Sequence, residues 1–168
     1  MQAILYTSNT GFTARYAALL GQHTGLPVYT LSQAKKTLPA HAEVIYLGWL
    51  MAGTVKGYKK AAGRYQVLAV CGVGMGKTGS QTDEVRSKNA VPAAVPVFVL
   101  QGGFERNKLR GVYRLMMELM VKTAGKALAA KDNRTAEEED MLDMMLHGGN
   151  RVCAEHLQAV AAWYGTQG

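Results

Sequence analysis

The stretch Tyr6-Thr7-Ser8-Asn9-Thr10-Gly11-Phe12-Thr13-Ala14-Arg15 decides how this chain is read. A short apolar run, Ala3-Ile4-Leu5-Tyr6, precedes it and has the look of a buried strand. Behind it Phe12, Tyr16, Leu19, Leu20 and His23 recur at helical spacing. A strand therefore ends, a hydroxyl-rich turn follows, and a helix begins. The free N–H groups of that first turn, at the positive end of the helix dipole, form an anion site. Ser8, Thr10 and Thr13 add hydroxyls around it, and Gly11 lets the backbone approach closely. A phosphate monoester fits such a turn without a lysine. The plainer alternative is an ordinary N-cap, made by Ser8 or Thr10, with nothing bound.

The chain has 168 residues, enough for one domain with a full core. Apolar residues make up 48% of it, yet no run is long enough to span a membrane. Met1-Gln2-Ala3 leads directly into a strand without a basic segment, which predicts no secretory signal. Cys71 and Cys153 stand far apart, as reduced thiols of a cytoplasmic protein rather than a disulfide framework or metal site. His23, His41, His147 and His156 have no ligand spacing. The net charge of +7 calls for an anionic partner: a membrane surface, an acidic protein, a polyanion or a carboxylate-bearing substrate.

Further strands are expected at Val28–Leu31, Glu43–Gly48, Gln66–Cys71 and Val97–Gln101, with a short helix ending before Pro39. The third strand should pass into a loop, Trp49-Leu50-Met51-Ala52-Gly53-Thr54, opening a helix that carries Lys56, Lys59 and Lys60. The fourth is apolar throughout, hence buried on both faces, and leads into a glycine loop over Gly72–Gly79. Strands alternating with helices predict a parallel α/β sheet with right-handed crossovers.

The last third is helical. Val112, Tyr113, Met116, Leu119 and Met120 recur at three and four, with Arg110, Arg114, Glu118, Lys122 and Lys126 on the other face. Over 105–131, seven basic residues stand against Glu105 and Glu118, a net +5. Thr135-Ala136-Glu137-Glu138 is a capping box, Gly148-Gly149 ends that helix, and Asn150 is expected to cap a final one through Leu157, Val160 and Tyr164.

The glycine loop admits two nucleotide readings, and both fail. Gly76-Lys77-Thr78 ends like a triphosphate loop, but Cys71 stands where its first glycine is required. Gly74-Met75-Gly76-Lys77-Thr78-Gly79 fits the dinucleotide fingerprint, but it follows the fourth strand and lacks a clear acidic ribose ligand.

Ser8-Asn9-Thr10-Gly11-Phe12-Thr13 resembles the phosphate loop of flavodoxin-like proteins. The resemblance implies a three-layer α/β sandwich, a five-stranded parallel sheet in the order 2-1-3-4-5, and FMN as cofactor. The whole chain would be one such domain, with an extended helical third over 105–165. The cofactor-binding set carried over is Ser8, Asn9, Thr10, Gly11, Phe12 and Thr13 at the phosphate, Trp49, Leu50, Ala52 and Gly53 after strand three, and Gly72, Val73, Gly74 and Met75 after strand four. Trp49 or Phe12 would stack on the ring, and no catalytic side chain is implied. The region from Phe98-Val99-Leu100-Gln101-Gly102-Gly103-Phe104 through Leu109–Lys122 is similar to the flavodoxin-type, menaquinone-dependent protoporphyrinogen oxidases. That similarity implies an oxidoreductase with a quinone or porphyrinogen-like substrate; the alternative is an electron-transfer protein that docks redox partners. The basic helical segment 105–131 suits peripheral contact with a membrane or a pocket wall where Arg106, Lys108 or Arg110 meets substrate carboxylates. Its plainest reading is a helix packed on the sheet with a solvated basic face. No nucleic-acid partner is expected.

Overall fold

A computed structural model describes residues 1–167. The strands of the main sheet are β1 (Ala3–Thr7), β2 (Val28–Thr30), β3 (Glu43–Met51), β4 (Thr54–Val55), β5 (Gln66–Gly74) and β6 (Val97–Gln101). They run β2-β1-β3-β5-β6, all parallel, with β4 folding back antiparallel on the end of β3. Leaving β4 aside, this is the flavodoxin-like order, and β1 lies inside the sheet rather than at its rim.

Alternation along the strands divides the core into two layers. Ala3, Leu5, Val44, Tyr46, Val70 and Val99 face one side. Three helices cover it: α2 (Leu31–Thr37), α3 (Tyr58–Ala62) and α4 (Thr82–Asn89), with Ala34, Ala61 and Val85 fully buried. Ile4, Ile45, Leu47, Cys71, Val73 and Leu100 face the other. There α1 (Phe12–Thr24) contributes Tyr16, Ala17 and Leu20, and a final helix, Gln158–Gly165, contributes Val160. Side chains alternate across a strand with a period of two, so continuous apolar strands feed both layers.

The helical third is interrupted. Helix α5 (Gly111–Met120) passes through a π-helical turn, Val121–Gly125, into α6 (Lys126–Ala129). Helix α7 (Ala136–His147) starts at the expected capping box: Thr135 Oγ1 accepts from the Glu138 N–H at 3.2 Å, and Glu138 Oε2 accepts from the Thr135 N–H at 2.9 Å. It ends at Gly148, and two short strands, β7 (Gly103–Phe104) and β8 (Gly149–Asn150), pair antiparallel beyond it. The final helix, α8 (Gln158–Gly165), follows a 3₁₀ turn at Ala154–Leu157. Asn150 therefore does not cap it. Its Oδ1 accepts from the Val152 N–H at 3.1 Å, because the residue is held in β8.

Two expected loops begin as strand. Trp49, Leu50 and Met51 complete β3, and Ala52-Gly53 turn the chain into β4 with φ of 49° and 76°. Two successive positive φ values are what a tight two-residue hairpin requires. The basic helix α3 begins only at Tyr58, so Lys56 precedes it. Likewise Gly72, Val73 and Gly74 are the end of β5, not a loop.

Candidate functional site

The turn between β1 and α1 separates two concavities at the carboxyl ends of the strands, where ligands of such sheets bind. Gly11 holds φ 101°, a left-handed conformation that favours glycine, and no side chain caps α1. Ser8 Oγ is used inside the turn, accepting from the Gly11 N–H at 3.1 Å. The plain N-cap is thus absent, and the N–H groups opening α1 are left for another acceptor. A Cβ placed on Gly11 meets nothing within 4 Å, so the space beside the turn is open.

On one side lies an apolar cavity of about 420 Å³. Of the residues expected at a cofactor, Asn9, Thr10, Phe12, Thr13, Trp49, Leu50, Ala52, Gly53, Val73, Gly74 and Met75 line it. Thr13 is a buried polar residue at its wall. On its far side Tyr113, Met116, Met117 and Met120 of α5 form the pocket wall expected of segment 105–131, and Met141 and Met145 of α7, which the sequence does not place there, close over the strand ends with them. Methionine is flexible and polarisable, so such a wall adapts to a flat guest. Gln81 and Glu84 also reach the cavity, but the Glu84 carboxylate is taken by Lys88 Nζ at 2.6 Å.

On the other side is a wide basic groove. Ser8, Asn9 and Gly11 line it, and Asn9 borders both spaces. Lys35 and Lys36 of α2 enter it together with Lys56, Lys59 and Lys60, and no acidic residue does. The lysines at 35 and 36 carried no signal in sequence, since adjacent charges on a short helix read as a solvated face.

Gly72 lies in neither space. It sits between Gly48 and Val99 in the sheet, and the Leu50 side chain fills the place of its missing Cβ at 2.9–3.1 Å. Gly74 likewise accommodates Leu50, at 3.1 Å, while still reaching the cavity. These glycines therefore admit Leu50 beneath the site. Lys77 is directed away, paired with Glu137 at 2.7 Å.

Trp49 and Tyr113 meet between the two concavities, and both line both. The helical wall is tied to the sheet by a polar clamp. Gln101 Nε2 donates to Asp140 Oδ2 at 2.7 Å, and Arg151 Nε donates to Asp140 Oδ1 at 3.0 Å. Arg106 pairs with Glu118, and Lys108 with Glu105, so neither is a free cation for a substrate carboxylate. Burial pushes the Cys71 thiol up to about 12. The Cys153 thiol is also raised, first by desolvation and then by its contact with Glu155. Neither is poised as a nucleophile. Among the described residues no cluster of His, Cys, Asp or Glu is arranged to hold a metal ion. Neither the models of known protein families nor the curated protein sequences contain a match to this chain.

Proposed function

We propose that the chain is an FMN-dependent oxidoreductase passing hydride or electrons between a donor and an apolar, flat substrate of the quinone or porphyrinogen kind. One observation carries the reading: an uncapped helix N-terminus borders an apolar cavity of about 420 Å³, with Asn9 common to both the turn and the cavity wall. A dianionic ester suits the N–H groups opening α1, with the Thr10 hydroxyl beside it. A fused aromatic ring suits the cavity, between the Trp49–Gly53 hairpin and Val73-Gly74-Met75. The flavin, when bound, supplies the hydride or one-electron chemistry.

The protein's part is binding, orientation and exclusion of water. The methionines of α5 and α7 form an apolar cover, and the Asp140 clamp holds α7 to the end of β6. No side chain in the cavity is assigned as a proton donor or acceptor. The test is the visible spectrum of the purified protein supplied with FMN and then freed of unbound flavin by gel filtration. Bands that bleach with dithionite and return on adding a soluble naphthoquinone, without a second protein, are expected. A protein that keeps no yellow colour once unbound FMN has been removed contradicts the reading.

The lysine groove favours a second reading, an electron-transfer protein that docks acidic partners and has no substrate of its own. Flavin reoxidation only when an acidic redox protein is added, with a rate that falls as salt rises, would select it.

A further inference from the structure

Helix α5 is apolar on two sides. Tyr113, Met117 and Met120 turn inward to the cavity. Val112, Leu115 and Leu119 turn outward, 62%, 67% and 63% exposed. Met116 does both: it lines the cavity and is 46% exposed. Positions 112, 115, 116 and 119 are one stripe at helical spacing. Among the described residues, the only other large apolar side chain this exposed is Leu146, on the neighbouring α7. Scattered apolar residues on a surface need no explanation, but an unbroken stripe on one helix does.

Charge identifies what covers it. Arg110 immediately precedes α5, Lys122 lies in the π-helical turn that follows it, and Lys126 opens α6; all three are exposed. Among the described residues they have no carboxylate within ion-pairing distance, whereas Arg106, Lys108, Arg114 and Lys131 each have one. The stripe thus ends, at both of its termini, in cations that no described carboxylate pairs with. A second copy would bring the same cations against one another across a two-fold axis. A lipid surface of negative charge meets both requirements, taking the apolar stripe at the level of its acyl chains and the cations at its headgroups. No described helix is long and apolar enough to cross a membrane, so this contact is one that lies on the surface.

We propose that α5 is a membrane-contact helix: it lies flat on an anionic phospholipid surface through Val112, Leu115, Met116 and Leu119, held by Arg110, Lys122 and Lys126. The wall between the cavity and the lipid is then a single helix, and Met116 spans it. The docking itself does not depend on the flavin reading.

The test is co-sedimentation of the full chain with vesicles of phosphatidylcholine alone and of phosphatidylcholine mixed with phosphatidylglycerol. The wild type is expected on the mixed vesicles, with a partition at least tenfold above that on phosphatidylcholine, falling at high salt. Leu115→Glu with Leu119→Glu lowers that partition at least tenfold without moving the thermal midpoint, since neither residue lines the cavity. Arg110→Gln with Lys122→Gln and Lys126→Gln, which leaves the stripe intact, removes the preference for phosphatidylglycerol. Three results overturn the proposal: no wild-type binding to either vesicle, binding that neither variant alters, or a wild-type dimer without vesicle affinity that the Leu115→Glu, Leu119→Glu pair splits into monomers. FMN titration of the same Leu115→Glu, Leu119→Glu protein reports on the cofactor reading separately, because it is expected to bind as the wild type does.

Discussion

Trp49 and Tyr113 meet edge to face, with ring centroids 5.1 Å apart and planes at 89°. Lys56 Nζ lies 5.8 Å from the Trp49 ring centre and 6.0 Å from that of Tyr113. A strand end and a distant helix are thereby joined where the apolar cavity meets the basic groove. Such an aromatic pair contributes about 0.5–1.5 kcal/mol beyond its buried area. Trp163, the second of the two tryptophans, packs against Phe98 on the opposite side of β6 from α4. In a Trp163→Phe protein, fluorescence therefore reports on Trp49 alone. FMN is expected to quench that emission in a saturable way. Emission indifferent to FMN would place the ring elsewhere.

The hydroxyls of the turn provide a second test. Thr10 and Thr13 both reach the cavity beside the opening of α1. Each hydrogen bond to a charged group is worth about 1.5–3 kcal/mol. Thr10→Val with Thr13→Val is expected to weaken FMN by a few kcal/mol, read by equilibrium titration. An unchanged dissociation constant would remove these residues from the phosphate site.

Gly57 sets the path from β4 into α3. Its φ is 85°, and a Cβ there would run into the Tyr46 hydroxyl and the Thr7 side chain. That hydroxyl donates to the Lys56 carbonyl at 2.7 Å and lies 2.7 Å from Thr7 Oγ1, so it has no room to retreat. Gly57→Ala combines left-handed strain with overpacking, each costing about 1–3 kcal/mol. The thermal midpoint should fall by about 10 °C. By contrast Gly11→Ala carries the strain without the collision and should cost less. A Gly57→Ala protein as stable as wild type would contradict the packing described.

Burial makes the fold sensitive to alkali. Tyr46 is pushed from 10.0 up to about 12 by desolvation, partly offset by the Thr7 hydrogen bond, and Cys71 from 9.0 to about 12 by desolvation. Both groups are neutral when buried, and both ionise more readily once the chain unfolds. Their contribution is full below pH 9 and is lost as pH rises from there through about 12. Urea titrations at pH 8 and pH 11 should show the loss, and Tyr46→Phe with Cys71→Ala should make it shallower. A pH-independent midpoint across that range would be incompatible with these burials.

The strand–turn–helix at the start of the chain was legible because three signals agree there: an apolar run, a Ser-x-Thr-Gly turn, and helical periodicity. Thr135 to Glu138 was legible because a capping box is local chemistry. The β3–β4 hairpin was not. Its turn is Ala52-Gly53, and alanine at a positive φ has none of the asparagine or aspartate that usually mark such turns. Gly72 misled for a related reason: glycine at a strand end reads as room for a ligand, whereas Leu50 fills that room. The stripe on α5 was read as a single apolar face. Periodicity identifies a face but not its neighbour, and here the inner part of the face closes a cavity while the outer part has none. The methionines of α7 were invisible for the same reason, since only the chain's return through β8 brings them over the strand ends.

The central claim is that the turn after β1 holds a phosphate ester while the adjoining cavity holds the ring attached to it. The most direct measurement is paired titration of the protein with FMN and with riboflavin, which differ only in that phosphate. FMN is expected to bind at least tenfold more tightly, with its fluorescence quenched on binding. Equal affinity for the two, or none for either, would contradict the account.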